Sequence, residues 1–155
     1  MSDVPTKVLF VCMGNICRSP AAECFFTIAL EKEGKGDSFL VDSAGTGGWH
    51  AGANPDSRMQ AAAKKKGVEI TGSARQVTTS DISTFDFIFC MDKDNLSDLL
   101  AMGANPAKTH LFLPFVGYGQ SGEVPDPYYG GEGGFQDVVT LIRDAATKLV
   151  LKLCS

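Results

Sequence analysis

An α/β fold built around a parallel sheet is the class this chain predicts, and three observations carry that expectation. Short apolar runs of strand length alternate with longer stretches of helical periodicity. Helix punctuation falls between them, with Ser19-Pro20 opening one stretch and Gly67 closing another. The 155 residues suit one domain, residues 1–155, long enough to bury a core without disulfides or metal.

The apolar run at residues 7–11 reads as the first strand, and residues 20–32 as the first helix, closed by Glu33-Gly34-Lys35-Gly36. Residues 39–42 make a second strand that leads into a turn-rich stretch, Ser43-Ala44-Gly45-Thr46-Gly47-Gly48. A helix is expected over 56–66, with Lys64-Lys65-Lys66 in its last turn, where cations complement the helix dipole. Residues 87–91 are a third strand, and Asp92 then caps a helix that ends near Met102-Gly103. Residues 109–113 are a fourth strand. The last helix covers 134–153, where Val138, Leu141, Ile142, Ala145, Leu149 and Leu153 trace one apolar stripe. Strand-helix-strand units of this kind wind right-handed and give parallel strands. Ligands of such sheets bind beyond the carboxyl ends of the strands, where the strand order reverses. Cys12 stands at that end of the first strand.

The stretch Cys12-Met13-Gly14-Asn15-Ile16-Cys17-Arg18-Ser19-Pro20 joins that strand to the first helix. A loop running into a helix N-terminus turns several backbone N–H groups toward one point, which makes an anion site. A cysteine in that positive field is stabilised as its thiolate. Arg18 adds a planar fork matched to phosphate oxygens. Nucleophile, amide cradle and guanidinium therefore meet within a few residues, an arrangement suited to attack on phosphorus.

Residues 114–133, about twenty in number, are rich in glycine and proline and read as neither firm helix nor strand. Loops this long in a compact domain are usually functional or disordered. Within it runs Val124-Pro125-Asp126-Pro127-Tyr128-Tyr129-Gly130-Gly131, with one aspartate fixed between two prolines and followed by two aromatics. A phosphate ester attacked by Cys12 needs a proton for its leaving oxygen, and Asp126 is the candidate acid. The same group, once ionised, would activate water against a phosphocysteine. Arg18 and the loop amides supply the positive field, so neither metal nor cofactor is expected.

The net charge of −4 argues against a nucleic-acid partner, which would meet a basic surface. No apolar run approaches the ~20 residues of a membrane-crossing helix, and residues 1–7 hold no hydrophobic segment like that of a signal peptide. Five cysteines, odd in number and widely spread, suggest free thiols in a reducing compartment, so a cytoplasmic location is expected. The spacing of Cys12 and Cys17 is wide for a zinc knuckle, and no second pair exists.

The run from Val8 through Glu23, then Asp42-Ser43-Ala44-Gly45-Thr46, Ala74-Arg75-Gln76, Cys90-Met91-Asp92 with Asn95-Leu96, and Asp126-Pro127-Tyr128 resemble the low-molecular-weight protein tyrosine phosphatases in order and approximate spacing. The resemblance implies a three-layer, four-stranded parallel sheet flanked by helices, flavodoxin-like or Rossmann-like, of the phosphatase I type. It implies Cys12 as nucleophile, Arg18 as phosphate clamp and Asp126 as general acid and then base. The substrates implied are phosphotyrosine-containing proteins and small aryl phosphates, with inorganic phosphate as product. By the same resemblance Asn15 takes an unusual backbone conformation supported by Ser43, and Ser19 donates a hydrogen bond to the thiolate. Cys17 would trap an oxidised Cys12 as a reversible disulfide. Tyr128 and Tyr129 would be targets of tyrosine kinases. Met13 stands where leucine is usual in the family, and the histidine that some relatives carry near Gly72 is absent.

Three other functions compete. A thioredoxin-coupled arsenate reductase on the same scaffold needs two further cysteines close together, and Cys90 stands alone. A protein-arginine phosphatase shares the nucleophile loop, but such enzymes carry threonine where this chain has Ile16, whose bulk suits an aromatic ring better. A non-catalytic phosphate-binding module would not need Arg18 together with a distant Asp126. With Ile16, Trp49 reads as a recognition wall on a glycine-rich loop, and Tyr128 or Tyr129 as its partner around a phenyl ring. Cys24, Cys90 and Cys154 read as structural. His50 and His110 read as surface residues without the surroundings of a Cys-His dyad, although His50 adjoins Trp49.

Overall fold

The computed structural model describes residues 4–118, 122–127 and 132–154, with residues 132 and 133 described by backbone alone. In chain order the elements are β1 (Thr6–Cys12), α1 (Arg18–Lys32), β2 (Phe39–Gly45), α2 (Ser57–Lys64), α3 (Thr79–Thr84), β3 (Phe87–Cys90), α4 (Lys93–Ala101), β4 (Thr109–Leu111), α5 (Phe112–Phe115) and α6 (Glu132–Leu153). Among the described residues the strands form one four-stranded parallel sheet in the order β2-β1-β3-β4. The order reverses at β1, and the loop after β1 opens at that switch point.

Strand alternation divides the core in two. Val8, Phe10 and Cys12 of β1 and Phe89 of β3 face one cluster, which α1, α2 and α6 cover with Phe26, Met59 and Ile142. Leu9 and Val11 of β1 with Ile88 and Cys90 of β3 face the other, closed by Ile82 of α3 and Leu99 of α4. Helices on both faces of a parallel sheet make the three-layer, Rossmann-like architecture. Phe10 lies at the centre of the larger cluster, with Phe26, Phe89 and Phe112 ring centroids at 5.6, 5.8 and 5.4 Å. Burying such a side chain contributes about 1.5–3 kcal/mol.

Four departures from the expected elements have physical causes. The stretch Ser43-Ala44-Gly45 is strand rather than turn, because β2 keeps register with β1 as far as Gly45 opposite Cys12. The chain turns helical at Phe112 instead of continuing as strand to residue 113. That turn puts Phe112 and Leu113 into the same cluster, where strand alternation would split them. Helix α3 was not foreseen; it is held by a capping box in which Thr78 and Asp81 satisfy each other's backbone N–H. His110, expected at the surface, is half-buried. Its ring packs 4.7 Å from that of Phe115, and burial, with nearby Lys152, lowers its pKa.

Candidate active site

The loop from Cys12 to Arg18 wraps around the carboxyl end of β1. Gly45 permits it, since a Cβ there would lie 2.8 Å from Met13 O and 3.2 Å from Asn15 N. Thr46 N–H donates to Cys12 O, Gly47 N–H to Met13 O and Asp56 N–H to Ile16 O, so the β2 end and the start of α2 both fasten the loop. Asn15 has φ 56°, alone among the described non-glycine residues in the left-handed region. Asparagine tolerates that region when its amide is satisfied, and here it is. Asn15 Oδ1 accepts from Arg75 N–H at 3.0 Å, while Nδ2 donates to Ser19 Oγ at 2.8 Å and to Ser43 Oγ at 3.0 Å.

These bonds have a direction. Ser43 Oγ donates to Glu23 Oε1 at 2.6 Å, so it accepts from Asn15. Ser19 Oγ also accepts from Asn15, which leaves its own hydrogen for Cys12 Sγ at 2.9 Å; Ala44 O is more distant at 3.5 Å. Asn15 N–H donates to the same sulfur at 3.3 Å. Two donors thus converge on the Cys12 sulfur where the loop meets the end of β1. Burial pushes the Glu23 carboxyl up, against the hydrogen bond from Ser43.

Arg18 opens α1 and is buried. Its Nη1 donates to Asp92 Oδ2 at 2.7 Å and to Val124 O at 3.0 Å, so the donors at Nε and Nη2 remain for oxygens in the cavity. Burial works against its charge, but Cys12, Asp92 and Asp126 outweigh that and raise its pKa. Asp92 caps α4, accepting from Asn95 N at 2.8 Å with its other oxygen. Val124 explains how the glycine-rich loop places an aspartate. Its side chain is buried, its N–H donates to Met91 O at 2.7 Å, and its carbonyl holds Arg18. Two residues later, between prolines, Asp126 Oδ2 lies 3.6 Å from Arg18 Nη2.

Cys12, Cys17, Arg18 and Asp126 line one cavity of about 370 Å³. Met13, Ile16, Trp49 and His50 form the rest of its wall with Gly14. Trp49 is 73% exposed, and its ring covers the face of Gly47. His50, expected at the surface, is half-buried in this wall with its ring against Gly14. Cys17 is buried, and burial, then Asp56 and the charges of Cys12 and Asp126, push its thiol up to about 12. Cys90 lies in the core, where burial and Asp92 raise its thiol to about 12; Cys24 and Cys154 are half-buried. The cysteines are all free thiols. Tyr128 and Tyr129 lie outside the described residues. Sequence reasoning assigned Asp92 its cap but not its bond to Arg18, and it missed the carbonyl of Val124 and the parts of Glu23 and Arg75. The motif blocks that contain Glu23, Arg75 and Asp92 were the available signal.

A buried guanidinium, a sulfur with two donors and a carboxyl group in one cavity can bind a tetrahedral oxyanion and attack its centre. No described helix is long and apolar enough to cross a membrane. Residues 7–154 match the family described as low molecular weight phosphotyrosine protein phosphatase. The low molecular weight phosphotyrosine protein phosphatase of Schizosaccharomyces pombe is 46% identical over 141 residues, 89% of this chain and 90% of the relative. A crystal structure of protein tyrosine phosphatase from Entamoeba histolytica, with Hepes in the active site, has a TM-score of 0.90 at 41% identity, covering 96% of each chain. A Drosophila arginine phosphatase has a TM-score of 0.88 at 33% identity, covering 97% of this chain and 99% of its own. The chain belongs to the low molecular weight phosphotyrosine protein phosphatase family, whose members are hydrolases.

Proposed function

We propose that this enzyme hydrolyses phosphotyrosine in proteins, and small aryl phosphates, through a phosphocysteine on Cys12. The observation that carries the reading is the convergence of Cys12, Arg18 and Asp126 on one cavity whose wall includes Ile16 and Trp49. Phosphate oxygens take the donors of Arg18 and the loop amides of residues 13–18. The Cys12 thiolate attacks phosphorus in line; the S–P bond forms as the ester P–O bond breaks. Asp126, as the carboxylic acid, gives its proton to the departing phenolate oxygen. In the second step the Asp126 carboxylate takes a proton from water, whose oxygen attacks phosphorus. The S–P bond breaks, inorganic phosphate leaves, and Ser19 O–H steadies the returning thiolate. No step calls on a metal.

The phenyl ring of the substrate lies along Ile16 and Trp49, with Tyr128 and Tyr129 as further wall. Cys17 serves as redox partner of Cys12, and Tyr128 and Tyr129 as sites for tyrosine kinases. The test compares phosphotyrosine, phosphoserine and phosphoarginine peptides in the presence of EDTA, with Cys12→Ser as control. Phosphotyrosine turnover that Cys12→Ser abolishes is expected. A preference for phosphoarginine would overturn the substrate class, and turnover retained by Cys12→Ser would overturn the nucleophile.

A further inference from the structure

Arg75 belongs to the Ala74-Arg75-Gln76 block, and the reaction as written above gives it no part. Its guanidinium grips Asp81, with Nη1 to Oδ2 at 2.8 Å and Nη2 to Oδ1 at 3.1 Å, and Nη2 also donates to Asp42 Oδ2 at 3.0 Å. Asp81 sits in the first turn of α3, where it also accepts from Thr78 N–H at 2.7 Å. Asp42 belongs to β2, and its other oxygen accepts from Ser43 N–H at 2.8 Å. The side chain of Arg75 therefore bolts α3 to the part of β2 that carries Ser43. The Asp81 side of this grip is the better shielded: that carboxylate is 11% exposed, against 44% for Asp42.

The main chain of Arg75 is held in the same place. Its carbonyl accepts from Gly45 N–H at 2.8 Å, and its N–H donates to Asn15 Oδ1 at 3.0 Å. A backbone N–H can only donate, so it selects the oxygen end of the Asn15 amide. The NH2 end must then face Ser43 and Ser19, as it does. Turned over, the amide would set its NH2 against the Arg75 N–H and leave both hydroxyls without its donors. Ser19 would then no longer be compelled to direct its hydrogen at Cys12 Sγ.

We propose that Arg75, gripped by Asp42 and Asp81, is a positioning residue for Cys12, acting through the orientation of the Asn15 amide. The proposal deepens the phosphatase reading, since it rests on Cys12 as nucleophile. It assigns the ion cluster on the far side of the phosphate loop to keeping the sulfur poised, beyond joining two elements of the fold.

The test is a double-mutant cycle of Arg75→Met and Asn15→Ala, with thermal melting measured alongside. Its readout is the rate at which iodoacetamide alkylates Cys12 near neutral pH, followed on the Cys12 peptide by mass spectrometry. Arg75→Met is expected to slow alkylation about fivefold in the wild-type background and less than about twofold when Asn15 is already alanine. Equal slowing in both backgrounds would overturn the proposal, because a through-space charge effect or general loosening does not need Asn15. No slowing in the wild-type background would overturn it as well. Should Arg75→Met melt below the assay temperature, Arg75→Lys, which keeps the charge but not the two-pronged grip, takes its place, with the same two results expected and the same two overturning the proposal. Alkylation needs no turnover, so a protein that hydrolysed no phosphate ester would sink the phosphatase reading while the coupling between Arg75 and Asn15 could still be measured.

Discussion

Asp92 serves two elements at once: its Oδ2 accepts from Arg18 Nη1 at 2.7 Å, and its Oδ1 from Asn95 N–H at 2.8 Å. One carboxylate thereby fixes both the helix that follows β3 and the guanidinium that faces the cavity. Replacing it separates the two duties. Asp92→Ala is expected to lower kcat/KM for an aryl phosphate by about 10- to 100-fold through a misplaced Arg18, and stability by about 1 kcal/mol through the lost cap. Asp92→Asn keeps an acceptor for the cap but loses the charge, so it should retain most of the stability and still lose activity. Steady-state kinetics beside urea melts check this; equal activity in Asp92→Asn and wild type would contradict it.

Asp126 is assigned the leaving-group proton. Asp126→Ala is expected to lower kcat for phosphotyrosine by roughly two to four orders of magnitude, the range for losing a general acid. Substrates whose leaving group departs as a stable anion should lose much less. An equal loss on both would take the proton away from Asp126.

Trp49 is 73% exposed, so its removal tests recognition with little disturbance of the core. Trp49→Ala should raise KM for aryl phosphates several-fold and leave stability within about 0.5 kcal/mol. A small alkyl phosphate, with no ring to place, should show no such change in KM. A parallel rise for both would remove Trp49 from the ring wall.

Cys17 carries a thiol that burial, Asp56 and its other acidic neighbours push to about 12, so it is protonated at neutral pH. Peroxide should react at Cys12, forming an S–O bond as the O–O bond breaks. Cys17 sulfur then attacks, and water leaves as the disulfide forms. Since the thiolate is the attacking form, closure of the disulfide should quicken about tenfold for each pH unit between 6 and 8. Peptide mapping that found only sulfinic or sulfonic Cys12 would contradict the pairing.

Asp81 supplies a pH signature. Burial would raise its carboxyl, but hydrogen bonds from Arg75 and Thr78 outweigh that and hold it below the usual carboxylate range. A depressed acid contributes stability that is complete above its unfolded value of ~3.9 and is lost as pH falls through the folded value. Urea midpoints of wild type should therefore drop more steeply on acidification below about pH 4 than those of Asp81→Asn. Parallel acid limbs in the two proteins would contradict this.

The strands β1 and β3 were legible as short apolar runs, the helices α1 and α4 by their start signals at Ser19-Pro20 and Asp92, and α6 by its apolar stripe. So was the loop from Cys12 to Arg18, where the cysteine, the arginine and the helix start follow one another in the chain. The fixing of Asp126 between two prolines also showed in the sequence. What did not show depends on partners far apart. The bond from Arg18 to Asp92 spans 74 positions and that from Arg18 to Val124 spans 106. The extension of β2 through Gly45 follows from pairing with β1, which overrides the turn character of Ser43-Ala44-Gly45. The early end of β4 follows from the sheet face that Phe112 and Leu113 share. Helix α3 is only 6 residues long, too short for periodicity to register. Its Thr78-x-x-Asp81 cap was the available sign.

Rapid quenching of the enzyme with an aryl phosphate in the presence of EDTA, followed by mass spectrometry of the Cys12 peptide, bears most directly on the phosphocysteine mechanism. One phosphoryl group on Cys12 is expected, accumulating in Asp126→Asn where its hydrolysis is slowed, and absent from Cys12→Ser. Turnover with no phosphoryl group on Cys12 in any variant, and undiminished in Cys12→Ser, would contradict it.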